Sequence, residues 1–329
     1  PFERPAHLHW QGLSRGDLAI LNDDADPYAT PVTFVTDHEG FRNSQDRTQA
    51  DLIFLGDSFT EAGNLPEDQT FVQRTATALG QSTRNLGRAG YTGPTELIVL
   101  KKYGLPCRPR TVVWQFYEGN DLAEAMWFAQ WTAQGHPDYF ELIGRPNPRK
   151  GPYATGWQQH SPTWRLFCAL REARPWPFRG TFEDRHGRLH EVRFLEMPWQ
   201  MHSPVKHPGW PVLAQSLRDG ARCLRDEKIR LVVLHIPMSA RGLASDRLRF
   251  AAEMHVGPAW DIPEPLTLAT HLHQLCDELG VSFVDGMPLL RAAAAAGDLV
   301  YLPFDTHLSA EGHGVIAAAL VETLRTARK

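Results

Sequence analysis

One serine, an aspartate-histidine pair and two polar, glycine-bearing segments are the parts of this chain whose residue types and spacing can do chemistry together. Ser58 stands in residues 51–60, DLIFLGDSFT, where the apolar run Leu52–Leu55 has the length of a buried strand and stops at Gly56. A serine placed there emerges at the carboxyl edge of a sheet, where open parallel sheets bind their ligands. Its hydroxyl is a poor nucleophile until a positioned base takes the proton, and that base needs a third group to orient it. Residues 304–313, FDTHLSAEGH, offer such a pair: Asp305 and His307 lie two positions apart, just before a helix. Acyl transfer also needs donors for the developing oxyanion. Two segments can supply them: 85–90, NLGRAG, and 118–121, EGND. Thr60 occupies the position of the second glycine in a Gly-x-Ser-x-Gly elbow, which argues against the lipase type of α/β-hydrolase.

Taken in order, these four segments resemble the blocks of the SGNH hydrolase superfamily, the GDSL esterases and lipases. Gly-Asp-Ser-Phe around Ser58 is similar to the first block, Gly90 to the glycine block, Gly119-Asn120-Asp121 to the Gly-x-Asn-Asp block, and Asp305 with His307 to the last. The resemblance spans roughly residues 33–120 and 229–325. It implies Ser58 as nucleophile, His307 as base, Asp305 as the third member, and an oxyanion hole built from the Ser58 N–H, the Gly90 N–H and the Asn120 side chain. No cofactor or metal is implied. The final block here is Asp-x-His where many members carry Asp-x-x-His, a spacing similar to that of bacterial members. The implied fold is a three-layer α/β/α flavodoxin-like sandwich around a mainly parallel five-stranded sheet.

The elements that must position these residues follow from periodicity. Val32–Thr36 and Phe41–Asn43, joined through Gly40, read as a short hairpin whose Gly-Phe-Arg segment covers a sheet edge. A helix with Phe71, Val72, Ala76 and Leu79 on one face ends at Gly80. Strands are expected at 82–86, 111–117, 229–236 (stopped by Pro237) and 281–284, and helices at 95–103, 212–227, 267–279, 292–296 and 310–327. This alternation predicts a doubly wound α/β domain over 31–329, preceded by an irregular arm, residues 1–30. The rhythm fails at about 121–212 and again at about 238–266, read as a larger and a smaller insertion. The larger holds seven of the ten tryptophans: Trp127, Trp131, Trp157, Trp164, Trp176, Trp199 and Trp210. Packing of the insertion's own core is the first reading of these rings; a wall facing a sugar or lipid above the site is the second.

Composition narrows the function. The 329 residues are 42% hydrophobic and 22% charged with a formal net charge of −4, and no basic block interleaved with aromatics marks a nucleic-acid partner. No apolar run has the length of a membrane span. The chain begins at Pro1, as a processed or truncated chain does, and an extracytoplasmic location, periplasmic or secreted, is expected. Cys107, Cys168, Cys223 and Cys276 show no metal spacing and read as free thiols, with one disulfide open to an exported protein. The histidine pairs 186/190, 202/207 and 271/273 do not form a ligand set, and 271 and 273 on one helix face apart. His313 reads as a packing residue inside the last helix, Asp57 as a turn or network residue, and Asp121 as a helix cap beside a crevice-facing Asn120. The function expected is a serine esterase acting on a small-molecule or carbohydrate ester. Two alternatives are a polysaccharide O-acyltransferase and a non-catalytic carbohydrate-binding or scaffold protein on the same fold. In alginate-modifying transferases of the superfamily the Asp-x-His precedes the serine, whereas here it follows.

Overall fold

The computed structural model describes residues 4–21, 24–135, 178–195, 204–251 and 267–326. Its centre is a five-stranded, wholly parallel sheet of β3 (Leu52–Leu55), β4 (Thr83–Asn85), β5 (Thr111–Tyr117), β8 (Arg230–Ile236) and β10 (Ser282–Asp285), in the spatial order β10-β8-β5-β3-β4. Numbered along the chain from β3, that order is 2-1-3-4-5, the flavodoxin-like arrangement, with its reversal between β3 and β5. Every side chain of β3 and β5 is buried, because helices cover both faces and leave neither strand a wet side. A ligand crevice is therefore expected beyond the carboxyl ends of β3 and β5, where the connections leave in opposite directions.

The helices form where capping and periodicity ask for them. Phe71–Leu79 is capped by the Thr70 hydroxyl, which accepts from the Gln73 N–H, and closed by Gly80 at φ +61°. Gly209–Asp226 runs so close to the sheet that a Cβ on Gly220 would sit 2.3 Å from the ring of Trp114. The helix expected at 95–103 instead starts at Gly93, with Pro94 in its first turn and the Thr95 hydroxyl accepting from the Thr92 N–H, and passes into a wider π turn at Leu100–Gly104. The helix expected at 292–296 begins six residues earlier, at Gly286, because Asp285 caps it through the Met287 N–H, and runs to Ala295.

Three expectations change. The arm carries a strand, β1 (His9–Ser14), and a short helix, α1 (Asp17–Leu21). β2 (Thr30–Val35) pairs along its length with β1, and the expected hairpin partner contributes only the bridge Thr36–Arg42. β1 escaped the sequence reading because it is mostly exposed and shows no inward apolar face. The Gly-Phe-Arg segment also does more than cover an edge. Phe41 is buried against Tyr103, while the Arg42 guanidinium donates to the carbonyls of Glu61, Ala62 and Leu65 and so fixes the loop after Ser58. Asn43 covers the edge itself, exchanging hydrogen bonds with the Asn85 backbone at 2.8 and 2.9 Å.

Within the insertions, β6 (Phe178–Glu183), β7 (Leu189–Phe194) and β9 (Leu248–Phe250) form one antiparallel sheet, so the two irregular segments meet. Trp157, Trp164, Trp176 and Trp199 lie outside the described residues, as does Cys168. Trp127 is 44% exposed on helix Asp121–Ala133 and Trp210 packs near His271. Cys107, Cys223 and Cys276 are free. No helix of the described residues is long and apolar enough to cross a membrane.

Candidate active site

Ser58 is the first residue of a one-turn helix, Ser58–Glu61, that begins directly after β3. The turn is tight because Gly56 permits it: a Cβ there would lie 2.3 Å from the Thr60 hydroxyl and 2.4 Å from the Gln115 amide. Asp57 caps the helix, accepting from the Phe59 N–H at 2.9 Å, and the Gln115 amide nitrogen reaches both Asp57 Oδ1 and Thr60 Oγ1 at 2.9 Å. Thr60, which stands where an elbow would carry glycine, is thus tied to the neighbouring strand.

At the far end of the chain, the loop before the last helix (Ala310–Thr326) returns to this edge. His307 Nε2 lies 2.7 Å from Ser58 Oγ, and His307 Nδ1 lies 2.5 Å from Asp305 Oδ1. Asp305 Oδ1 also accepts the His307 N–H at 3.0 Å, so the two-residue spacing closes an Asx turn that aims the imidazole. Phe59 packs on the other side of the ring, 4.7 Å between centroids, and Tyr117 backs Phe59 at 4.2 Å.

Burial lowers the basicity of His307, but the charge and hydrogen bond of Asp305, then the charges of Asp17 and Asp57, outweigh it and hold its pKa at about 9. Asp305 moves the other way: burial raises it, and the partnership with His307 brings it below the usual carboxylate value. Burial likewise pushes Asp57 up to about 6.

Gly90 lies in the left-handed region at φ +83°, inside a turn closed by the Tyr91 N–H on the Arg88 carbonyl at 3.0 Å. That turn is anchored by Arg88 N–H to the Gly56 carbonyl, 3.0 Å, and by Ala89 N–H to the Glu61 carboxylate, 3.2 Å. The N–H groups of Gly90 and of Ser58, a first-turn donor, meet no acceptor among the described residues. Asn120 begins the next helix at the end of β5, and its Nδ2 donates to Glu124 Oε1 at 3.1 Å. An amide nitrogen has two hydrogens, so this bond orients the group and leaves one hydrogen over. Asp121 does not cap the helix as expected; its Oδ2 accepts the Tyr117 N–H at 2.9 Å and closes the strand instead.

His313 stays apart from Ser58. Its Nδ1 accepts the Phe71 N–H at 3.0 Å, its ring stacks on Phe71, and burial lowers its pKa to about 3. His271 lies against Trp210 and His273 against Phe283, on different faces of one helix. One residue near the Ser58, His307 and Asp305 side chains was missed altogether: Asp17, whose Oδ2 lies 4.0 Å from His307 Nδ1. Nothing local in its sequence marks it, because its partners are nearly three hundred positions away. Asp17, Asp305 and His307 present single atoms within 4.8 Å of one another. This is a hydrogen-bonded set in character, since the 2.5 Å separation of Nδ1 and Asp305 Oδ1 requires a proton between them.

No family model matches the chain, and no curated protein does. Among solved structures it is similar to a catalytic mutant of an acetylxylan esterase from Geobacillus stearothermophilus, at 14% identity and a TM-score of 0.45, over 84% of this chain and 94% of that one. It is also similar to a GDSL-like lipase from Bacteroides thetaiotaomicron, at 12% identity and a TM-score of 0.40, over 84% of this chain and 88% of that one.

Proposed function

We propose that this chain is a serine ester hydrolase that works through an acyl-enzyme. What supports the reading is one geometry: a serine hydroxyl, an imidazole and a carboxylate in hydrogen-bonded sequence, 2.7 and 2.5 Å apart, at the switch point of a parallel sheet. Neutral His307 takes the Ser58 proton on Nε2 as Oγ attacks the ester carbonyl. The imidazolium then protonates the departing alcohol, and water, activated by the same nitrogen, releases the acid. Asp305 keeps the other proton on Nδ1 throughout, so that Nε2 is the acceptor. The Ser58 N–H, the Gly90 N–H and the second amide hydrogen of Asn120 are the donors assigned to the oxyanion. A small-molecule or carbohydrate ester is the substrate class this reading carries. Labelling with a fluorophosphonate tests it: the wild-type chain becomes modified at Ser58, and a chain that stays unmodified while folded would remove the nucleophile from the mechanism.

Two further outcomes follow from the geometry. Asn120→Ala should lower kcat for an aryl acetate by roughly a hundred- to a thousand-fold, the cost of about 2.7–4 kcal/mol usual for one oxyanion donor, with little change in KM. A loss confined to KM would assign Asn120 to ground-state binding. The pH profile should also be displaced. Only neutral His307 can accept the proton, and its pKa stands at about 9; kcat/KM should therefore climb about tenfold per unit from pH 6 and level off near 9. A limb centred near 6.5, the value of an unperturbed histidine, would contradict the proximity of the carboxylates. The same shift acts on stability. Raised on folding, His307 stabilises the native state fully below pH 6.5 and loses that contribution as pH rises through about 9.

A further inference from the structure

Building on the hydrolase reading, we propose that Asp17 is a second carboxylate of the triad, a positioning residue that the amino-terminal segment delivers to His307 and that stabilises the imidazolium formed when Ser58 gives up its proton. Its place is fixed by the backbone rather than by a loose surface contact. The Leu18 and Ala19 N–H groups both donate to the Phe304 carbonyl, at 3.2 and 3.3 Å, and both side chains are buried. Gly16 allows this approach, since a Cβ there would fall 2.1 Å from the same carbonyl oxygen.

From that anchor the Asp17 carboxylate grips the residue between Asp305 and His307. Oδ1 accepts the Thr306 N–H at 2.9 Å and Oδ2 accepts the Thr306 hydroxyl at 2.5 Å. The grip fixes the Asp-x-His turn from outside while Oδ2 stays 4.0 Å from Nδ1, beyond hydrogen-bonding reach but well within the range of charge attraction. Asp305 holds the proton, and Asp17 adds charge.

The titratable groups that face His307 come from every element packed on it. Asp305 belongs to its own loop, Asp17 to α1, Asp57 to the turn before Ser58 and His313 to the last helix, while Tyr117 of β5 stands behind Phe59. Burial keeps Tyr117 and His313 uncharged at neutral pH. Asp305, Asp17 and Asp57 therefore set the charge of the imidazole's surroundings. Burial and the charge of Asp305 push Asp17 itself up to about 6, so it is ionised where the enzyme is expected to work.

The test is a nitrogen-15 NMR titration of the His307 ring in the full chain, run beside kcat/KM for 4-nitrophenyl acetate as a function of pH. An opposite charge at this distance shifts a pKa by about one to three units, and the 43% exposure of the Asp17 side chain selects the lower end. Asp17→Asn should lower the His307 pKa by about one unit and move the acidic limb of kcat/KM down by the same amount. The plateau should fall about three- to ten-fold, and Asp17→Glu should restore most of the pKa. A plateau that falls while the limb and the ring pKa stay fixed would leave Asp17 a merely structural residue and overturn the proposal. Should Asp17→Asn not fold, Thr306→Val carries the same test with a smaller shift, because it removes one of the two bonds that aim the carboxylate. The ring titration needs no turnover. A pKa that moves in a chain without ester hydrolysis keeps the coupling and discards the hydrolase reading; normal hydrolysis with an unmoved pKa does the reverse.

Discussion

Ser58→Ala is expected to lower kcat/KM for an aryl acetate by on the order of a million-fold while leaving the fold intact. The size follows from what the hydroxyl does. Without Oγ no acyl-enzyme forms, and His307 Nε2 is left facing an empty position with nothing to deprotonate except water. The donors proposed for the oxyanion survive the substitution, so a residual acceleration of roughly a thousand- to ten-thousand-fold over water is expected to remain. Stability should barely change. Ser58 Oγ hydrogen-bonds His307 alone among the described residues, and the helix it starts is capped by Asp57 rather than by Ser58. The measurement is steady-state hydrolysis alongside a thermal melt. Turnover within tenfold of the wild type, from a chain with an unchanged melt, would move the nucleophile elsewhere.

Asp305→Asn should cost about ten-thousand-fold in kcat, a loss of the size seen when the third member of a serine triad is made an amide. Asp305 Oδ1 now accepts both the Nδ1 proton and the His307 N–H, which places the imidazole and keeps Nε2 unprotonated. An asparagine can turn its amide nitrogen toward Nδ1, stabilising the tautomer with the proton on Nε2, and that tautomer cannot receive a proton from Ser58. Asp17 does not replace the lost partner, because its oxygen stands 4.0 Å from Nδ1 and is already committed to Thr306. With the Asp305 charge gone, the His307 pKa should also drop from about 9 toward 6.5, so the variant's residual activity should reach its plateau at lower pH. Rates measured from pH 5 to 10 separate the two effects. A kcat within about tenfold of the wild type across that range would show that another group orients the imidazole.

Much of this site could be read before folding because each block is local. The apolar strand Leu52–Leu55, the glycine that ends it and the serine after it are neighbours in sequence, and hydrophobic burial dictates the rest. The Asp-x-His turn is local in the same way, since Asp305 accepts the N–H of His307 two residues on. The alternation of strands and helices points to a parallel sheet in the same local way, while its five-stranded flavodoxin-like order came from the family resemblance and not from any local signal. Readings failed where partners are distant or periodicity is weak. β1 is an exposed strand whose identity comes from β2, and the β6–β7 hairpin has a third strand that arrives more than fifty residues later. Asn120 and Asp121 were legible as a polar pair at a strand end, but the division of labour between them is set by Glu124 and the Tyr117 N–H.

The sequence alone determined the alternation of strands and helices, the strand and turn that carry Ser58, and the residue types able to do acyl transfer, because these depend on neighbours within a turn or two. Only the tertiary structure decided that Ser58 and His307, 249 positions apart, stand 2.7 Å from one another, and that a carboxylate from the amino-terminal segment joins them. Pairings of that kind are set by how the layers pack and by which backbone groups the approach leaves unpaired. The Phe304 carbonyl, free to accept from the helix that carries Asp17, records that choice in this chain.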